Sequence, residues 1–333
     1  MLVVMLYRPL GNTGLQLSAI GLGGHWRTAG GPRYCDRFPD DEVPAETLRN
    51  RVEVVDFCLD AGINYLDITT AAECVAYGKA MAGRRQRIII GADDYQWSAR
   101  NPDCLNVPAM IANVERCLNR LRTDYLDIWR VVSEIHGHNT DRDLETVIEA
   151  ADRLRQAGKI RHLGLSSHHP GWIARALEQF AAFEVALIPS VPAGCGDTAI
   201  PGVDAGANPF EIAARRRVGV IGIKPFAGGL LFRPAVADSD VTHGVANDEL
   251  NNALAREALR SVLHERANVT CVIPGMSSLP EAMNAIAAVT APPPDPDRQR
   301  WLTARIAAQL ASLPPDYRWL SAWNAWAQPS RES

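Results

Sequence analysis

Eight times along this chain a short apolar run is followed by a longer segment with helical periodicity. The runs are 17–23, 63–67, 87–92, 125–132, 160–166, 185–190, 218–225 and 269–275. The segments between and after them read as helices over 47–61, 74–82, 107–121, 142–157, 170–181, 209–216, 248–265 and 279–289. In the third of these, Met110, Val114, Leu118 and Leu121 recur at the three-to-four spacing that puts them on one face. Leu144, Ile148, Ala151 and Leu154 do the same in the fourth, and Gly158 sits where a helix C-terminus wants a left-handed residue. Strands that alternate with helices need crossover connections, which build a parallel sheet. Eight such units in one chain of this length fit a closed (β/α)8 TIM barrel better than an open sheet. A doubly wound sheet is the other topology, but it wants a glycine-rich phosphate turn after an early strand. GLGGHW at 21–26 is not G-x-G-x-x-G.

The 333 residues are expected to form one barrel domain, 1–333, since nearly half of them are apolar. Two segments interrupt the alternation, at about 191–208 and 232–247. Both follow late strands, so they read as loops at the mouth of the barrel, where such folds carry their sites. APPPDPD at 291–297 reads as a stiff linker to a last helix and a Trp-rich tail, about 298–333, holding Trp301, Trp319, Trp323 and Trp326. A formal charge of −4 gives no electrostatic case for nucleic acid or an anionic membrane. No apolar stretch approaches the length of a membrane span, and MLVVMLYRPLG lacks the basic region and cleavage site of a signal peptide. Seven cysteines, odd in number and without a C-x-x-C, read as reduced thiols in a cytoplasmic protein. Cys74 is the best placed of them for reactivity, near an expected helix start.

Six segments, in order, resemble the aldo-keto reductase family from about residue 6 to residue 290. They are YRPLGNTGLQLSAIGLGG (7–24), DAGINYLD (60–67), NRLRTDYLDIW (119–129), AGKIRHLGLSSHHP (157–170), GVGVIGIKPFAGGLL (219–231) and VIPGMSS (272–278). The resemblance implies a (β/α)8 barrel that binds NADPH and reduces carbonyls. It also implies a catalytic tetrad of aspartate, tyrosine, lysine and histidine around one reacting oxygen. The aspartate matches Asp67. The tyrosine position falls near Ala72, the lysine position at Asp93 or Ala92, and the histidine position at Val132. Three of the four groups therefore have no counterpart at the matching positions, and Tyr77 and Lys79 read as a packed helix residue and a solvated charge.

For the cofactor, the resemblance points to Ser166, Lys224, Gly228, Gly275 and Ser277. KPFAGG and IPGMSS keep backbone turns that suit a pyrophosphate. The family's side-chain anchors are changed: its Ser-Asn pair is Ser166-Ser167, its glutamine is Leu187, its basic residue is Met276, and its late Glu-Asn pair is Asn284-Ala285. On that ground no cofactor is favoured, with NAD(P)H as the one possible.

The groups left at the strand ends are acids and histidines. Asp67 and Asp93, side by side, would repel and raise one pKa, which makes a general acid. With them, Glu73 and His168 form the candidate catalytic set, Glu73 having a helix cap as its other reading. His25, Trp26, Asp94, Glu134 and Trp323 are candidate substrate contacts. His136 and His138 lie in the polar run EIHGHNTDRD without a third ligand in register, so no metal is assigned. Three readings follow, in this order. The first is a non-redox enzyme doing acid/base work, such as dehydration, isomerisation, cyclisation or lyase chemistry, on a small-molecule substrate. The second is an NAD(P)H-dependent oxidoreductase with a rearranged proton donor. The third is a catalytically silent binding or regulatory protein. Oligomeric state is not legible.

Overall fold

The first apolar run, 17–23, does not form one strand in the computed structural model. The described residues are 5–23, 42–94, 97–133, 139–192, 208–232, 249–265 and 268–312. The start of the run pairs antiparallel, as β2 (Gln16–Ser18), with β1 (Tyr7–Pro9). The remainder makes two isolated parallel bridges, Ile20 with Val272 and Leu22 with Leu66. Two contacts explain the break. The Ser18 hydroxyl donates to the Ile20 carbonyl at 2.6 Å, and the Ser18 amide donates to the Asn64 side chain at 2.7 Å. Gly21 is required beyond it: a Cβ there would lie 2.9 Å from both Ile273 and Tyr65.

The other seven runs form one parallel sheet whose spatial order follows the chain: β3 (Tyr65–Ile68), β4 (Ile89–Ala92), β5 (Leu126–Val132), β6 (Ile160–Ser166), β7 (Val185–Pro189), β8 (Gly219–Ile223) and β9 (Val269–Val272). Residues 19–23 hydrogen-bond to both of its edges. Val272 N–H donates to Ala19 at 2.9 Å on one side, and Asp67 N–H donates to Leu22 at 2.8 Å on the other.

Helices follow the strands: α1 (Ala45–Asp60), α2 (Ala71–Ala80), α3 (Val107–Leu121), α4 (Asp141–Gln156), α5 (Pro170–Gln179), α6 (Pro209–Arg216), α7 (Glu249–Glu265), α8 (Leu279–Thr290) and α9 (Pro296–Ala311). None among the described residues is long and apolar enough to cross a membrane. The start of α2 is earlier than the periodicity suggests. Thr70 and Glu73 form a capping box, so the helix opens at Ala71 and Glu73 lies inside its first turn.

The core has two layers. Outside the sheet, apolar helix faces pack on residues such as Trp129, Val131 and Leu163. Inside it, Tyr65, Ile128, Val185, Leu187, Ile221 and Cys271 form a second cluster with Leu10 and Leu17 of the hairpin. The last helix packs through Leu302, Ile306 and Leu310 against Leu230, Leu231 and Phe232. Trp301 is exposed on α9, with the Arg298 guanidinium over its ring. Trp319, Trp323 and Trp326 lie outside the described residues.

Candidate active site at the C-terminal ends of the strands

Side chains on a strand alternate between faces, so the inward residues of β3 are Tyr65 and, one layer up, Asp67. The same count on β5 gives Ile128 and, one layer up, Arg130. Asp67 pairs in register with Gly91 of β4, and Gly91 with Ile128 of β5. The strand between the two charged residues therefore offers no side chain at that level. Arg130 reaches past it to Asp67: Nε lies 2.5 Å from one carboxylate oxygen and Nη2 3.1 Å from the other. The same Nη2 donates to the Ile68 carbonyl at 2.6 Å and the Thr69 hydroxyl at 2.7 Å. Burial works against the guanidinium charge, but Asp67, Tyr65 and Asp93 together outweigh it and the Arg130 pKa is raised.

The phenol of Tyr65 donates to Asp67 at 3.3 Å from below. It occupies the space that Gly91 leaves, since a Cβ on Gly91 would stand 2.3 Å from its oxygen. Burial first, and the Asp67 charge second, hold this phenol well above its ordinary pKa, so it stays a donor.

Lys224 completes the layer from the end of β8. Its backbone is left-handed at φ 57°, directly before Pro225, and the turn is tied by Ala227 N–H donating to the Lys224 carbonyl at 2.9 Å. Burial lowers the amine to about 7; Asp67 and Glu73 oppose that, while Arg100 and Arg130 add to it. Ala227, Gly228 and Gly229 also have positive φ, so the chain after β8 makes a tight left-handed turn.

Several expected site residues have other roles. Asp67 is not without a cation: Arg130 of β5 pairs with it, a partner that the sequence reading missed. Repulsion between Asp67 and Asp93 is not what perturbs Asp93. That side chain is turned onto α3, accepting from Asn113 at 3.0 Å, the Trp129 indole at 3.1 Å and the Val132 amide at 2.9 Å. Burial raises its pKa, and hydrogen bonds from Ser98, Val132 and Trp129, with the Arg130 charge, oppose the rise. Asp94 is also buried, 3.6 Å from Arg120. The Glu73 carboxylate accepts from the Thr69 amide at 2.5 Å as part of its cap, which leaves it within electrostatic reach of Lys224. Cys74 is not a reactive thiol: it lies buried in α2, and a hydrogen bond with Cys117, together with burial, holds it well above its ordinary pKa. His168 lies half-buried in the turn between β6 and α5. Tyr77 is buried and donates to the Gly23 carbonyl at 3.1 Å; Lys79 is exposed. His25, Trp26, Glu134, His136 and His138 lie outside the described residues, as do most of both mouth loops. Among the described residues no group of three acids, histidines or cysteines has the spacing of a metal site.

Of the expected cofactor contacts, Ser166 is buried at the end of β6, level with Val132. Gly228 lies in the left-handed turn after β8. Gly275 and Ser277 precede α8, where the Ser277 amide already donates to Glu281 at 2.6 Å and the Asn50 amide holds the Ser277 carbonyl. That helix start carries its own carboxylate. A cavity of about 260 Å³ elsewhere, lined by Asn12, Phe183, Glu184 and Arg217 among others, lies at the opposite ends of the strands.

A model of the aldo/keto reductase family matches residues 20–301, and the chain belongs to that family. It is 27% identical over 183 residues to an uncharacterized oxidoreductase, YqkF, of Bacillus subtilis, covering 51% of each chain. Over 173 residues it is 30% identical to the aldo-keto reductase YhdN of the same organism, covering 49% of this chain and 47% of that one. It thus spans about half the length of these two relatives. To L-galactose dehydrogenase of Arabidopsis thaliana it is 25% identical over 311 residues, covering 85% of this chain and 88% of that one. Among solved structures, the aldo-keto reductase AKR11C1 of Bacillus halodurans in its holo form superposes with a TM-score of 0.63 at 24% identity, over 91% of this chain and 96% of that one. A Klebsiella pneumoniae aldo-keto reductase in complex with NADPH gives 0.63 at 20% identity over the same shares. These two likenesses speak for the fold alone.

Proposed function

We propose that this protein is an NAD(P)H-dependent oxidoreductase acting on a small carbonyl or alcohol at the C-terminal ends of its strands. We also infer that residues 19–23 close the sheet into an eight-stranded barrel, supported by their hydrogen bonds to both edges. One observation carries the functional reading: the aspartate that the family uses is kept at Asp67 and is held by a buried cation, Arg130. The non-redox reading leaned on Asp67 without a partner and on its repulsion of Asp93. The geometry supplies a partner and turns Asp93 away, so both supports go. The oxidoreductase and dehydrogenase names of the relatives weigh the same way.

The residues present fit a dinucleotide at one end better than at the other. Gly228 and Gly229 form a turn without side chains that a pyrophosphate can approach. Ser166 and Ser167 offer buried hydroxyls where the family holds the nicotinamide amide. The start of α8, spanned by Glu281, offers an anion less. When bound, the reduced nicotinamide supplies hydride to the carbonyl carbon. The chain's own part is to orient that carbonyl and to manage charge on its oxygen. Arg130 is spent on Asp67, Ile68 and Thr69, and so fixes the floor of the site. Tyr65, with its raised pKa, keeps its proton on the Asp67 side.

Titration with NADPH, followed by fluorescence, tests this. Saturable binding with consumption of NADPH in the presence of a panel of aldehydes and ketones is expected. No binding at about 1 mM cofactor, an affinity worth only ~4 kcal/mol, overturns the reading.

A further inference from the structure

A carbonyl that accepts hydride becomes an alkoxide and needs a proton, and four tyrosines are described in this chain. Tyr65 sits below Asp67 and donates to it, and Tyr77 is buried against Gly23. Tyr7 donates to the Gly62 carbonyl beside the hairpin, and Tyr125 lies between Arg85 and Arg161 at the far end of the sheet. Of the four, Tyr77 alone reaches the C-terminal end, and it is fully buried with its hydroxyl on the Gly23 carbonyl. We propose that Lys224 is the residue that exchanges the proton with the substrate oxygen in this site. The inference rests on the oxidoreductase reading above and deepens it.

Three observations support it. The first is position. Lys224 directly follows Ile223, a residue of the inner cluster, so the chain enters the turn at the rim of the strands. The described charged groups that act most on its amine belong to this end of the molecule: Asp67 on β3, Glu73 on α2, Arg100 in the loop after β4, and Arg130 on β5. The second is composition. Only three lysines, Lys79, Lys159 and Lys224, occur among thirty-four basic residues. Arginine stays charged at any working pH, whereas a buried lysine changes its charge near neutrality. A lysine at the end of β8, among arginines elsewhere at this end, is what a proton-exchanging site requires. The third is strain. A left-handed non-glycine residue directly before proline is costly backbone, and such residues cluster at working sites.

The step balances. With a reduced dinucleotide bound, the carbonyl carbon would gain hydride from it as the new C–H bond, and the carbonyl π pair would move onto oxygen. An N–H bond of the Lys224 ammonium breaks as the O–H bond of the alcohol forms. The neutral amine then regains a proton from water. With two acids and two guanidiniums around it, the amine feels nearly balanced charge, and burial sets it to about 7. Both protonation states are then populated at neutral pH, as a general acid requires.

The test begins without cofactor. With carbon-13 lysine, the protein gives three side-chain signals, and Lys224→Arg identifies one by its disappearance. That signal is expected to titrate near pH 7. Kinetics follow on the NADPH-loaded enzyme. The kcat for reduction is expected to fall above about pH 7 as the ammonium is lost, and the rate of alcohol oxidation to rise through the same pH. Lys224→Met is expected to lower kcat by roughly 100-fold while NADPH affinity changes by less than about 3-fold. Lys224→Arg is expected to remove the neutral limb from the profile. A Lys224 signal that stays at the ordinary lysine value of 10.5 overturns the inference, even if the Met variant fails to fold. So does a Met variant that loses NADPH affinity about 10-fold and keeps the pH profile, because that makes Lys224 a phosphate anchor. If wild-type protein does not bind NADPH at all, the oxidoreductase reading falls and this inference falls with it. Bound cofactor beside an unshifted lysine removes this inference alone.

Discussion

Asp67 and Asp127 are both strand aspartates, both buried and both held by arginine, yet the two ends of the sheet use that chemistry differently. At the C-terminal end, the Asp67 and Arg130 side chains are 7% and 2% exposed, and the remaining Arg130 hydrogen bonds go to Ile68 and Thr69 next to it. At the N-terminal end, Asp127 is 3% exposed but its two cations, Arg85 and Arg161, are 18% and 54% exposed. Both guanidiniums lie 4.1 Å from the Tyr125 ring, one side of each facing water. An ion pair open to solvent contributes little and is easily spared. A pair taken out of water gains little over an apolar replacement of both partners, but losing one partner is severe. The wet pair ties strands together where barrels are stabilised. The dry pair sets a fixed field where barrels do chemistry.

The largest effect is therefore expected from Arg130→Met. It strands the Asp67 carboxylate in an apolar layer and leaves the Ile68 carbonyl without that donor, a loss of about 3–5 kcal/mol in urea unfolding. The double variant Asp67→Asn with Arg130→Met is expected to recover more than half of that loss, since the uncompensated charge is gone. A single variant that costs under about 1 kcal/mol would erase the contrast between the two ends. Arg85→Met comes next. Arg85 donates to Asp127 at 2.8 Å, the Ile88 carbonyl at 2.7 Å, the Tyr125 carbonyl at 3.0 Å and the Thr123 hydroxyl at 2.9 Å. Asp127 keeps the Ile90 amide and Arg161, whose own side chain is open to solvent. The expected loss is about 1–3 kcal/mol, the cost of the carbonyls left short of donors.

How far these two sites were legible follows from what each depends on. Strand and helix positions depend on local pattern, and there the agreement is close. The segments 107–121 and 209–216 match α3 and α6 residue for residue, and each of the last seven apolar runs holds a strand. The first run failed because its first residues pair with β1 and Ser18 is tied to Asn64, contacts that no apolar count registers. The start of α2 was written in the sequence as T-A-A-E at 70–73, a capping box that was read past. Asp67 was found through its motif, but its partner depends on register across two strands. YLDIWRVV reads as a buried strand, and its one cation looks like an interruption. The period-two rule, with Ile128 facing inward, puts Arg130 inward too, and Gly91 in the intervening strand clears the way to Asp67. Only the pairing shows that. Asp93 was misread for a related reason: the chain leaves β4 after Ala92, so alternation no longer fixes where its side chain points.

Arg161→Met carries the smallest expected effect and gives the finest measure of the difference between the ends. Arg161 makes one hydrogen bond to Asp127, at 3.2 Å, from a side chain more than half exposed. Its guanidinium shares the Tyr125 ring with Arg85, and a methionine keeps much of the apolar contact with that ring. The Coulomb gain of such a pair is offset by the entropy of holding a long side chain still, so the expected loss is below about 1 kcal/mol. What remains should be screened by salt. At about 1 M salt the Debye length is ~3 Å, and the variant and the wild type are expected to unfold at the same urea concentration. The Arg130→Met deficit has no water through which to be screened and should persist under the same conditions. If both deficits shrink together with salt, solvent reaches Asp67 as it reaches Asp127, and the dry field assigned to the C-terminal end is not there.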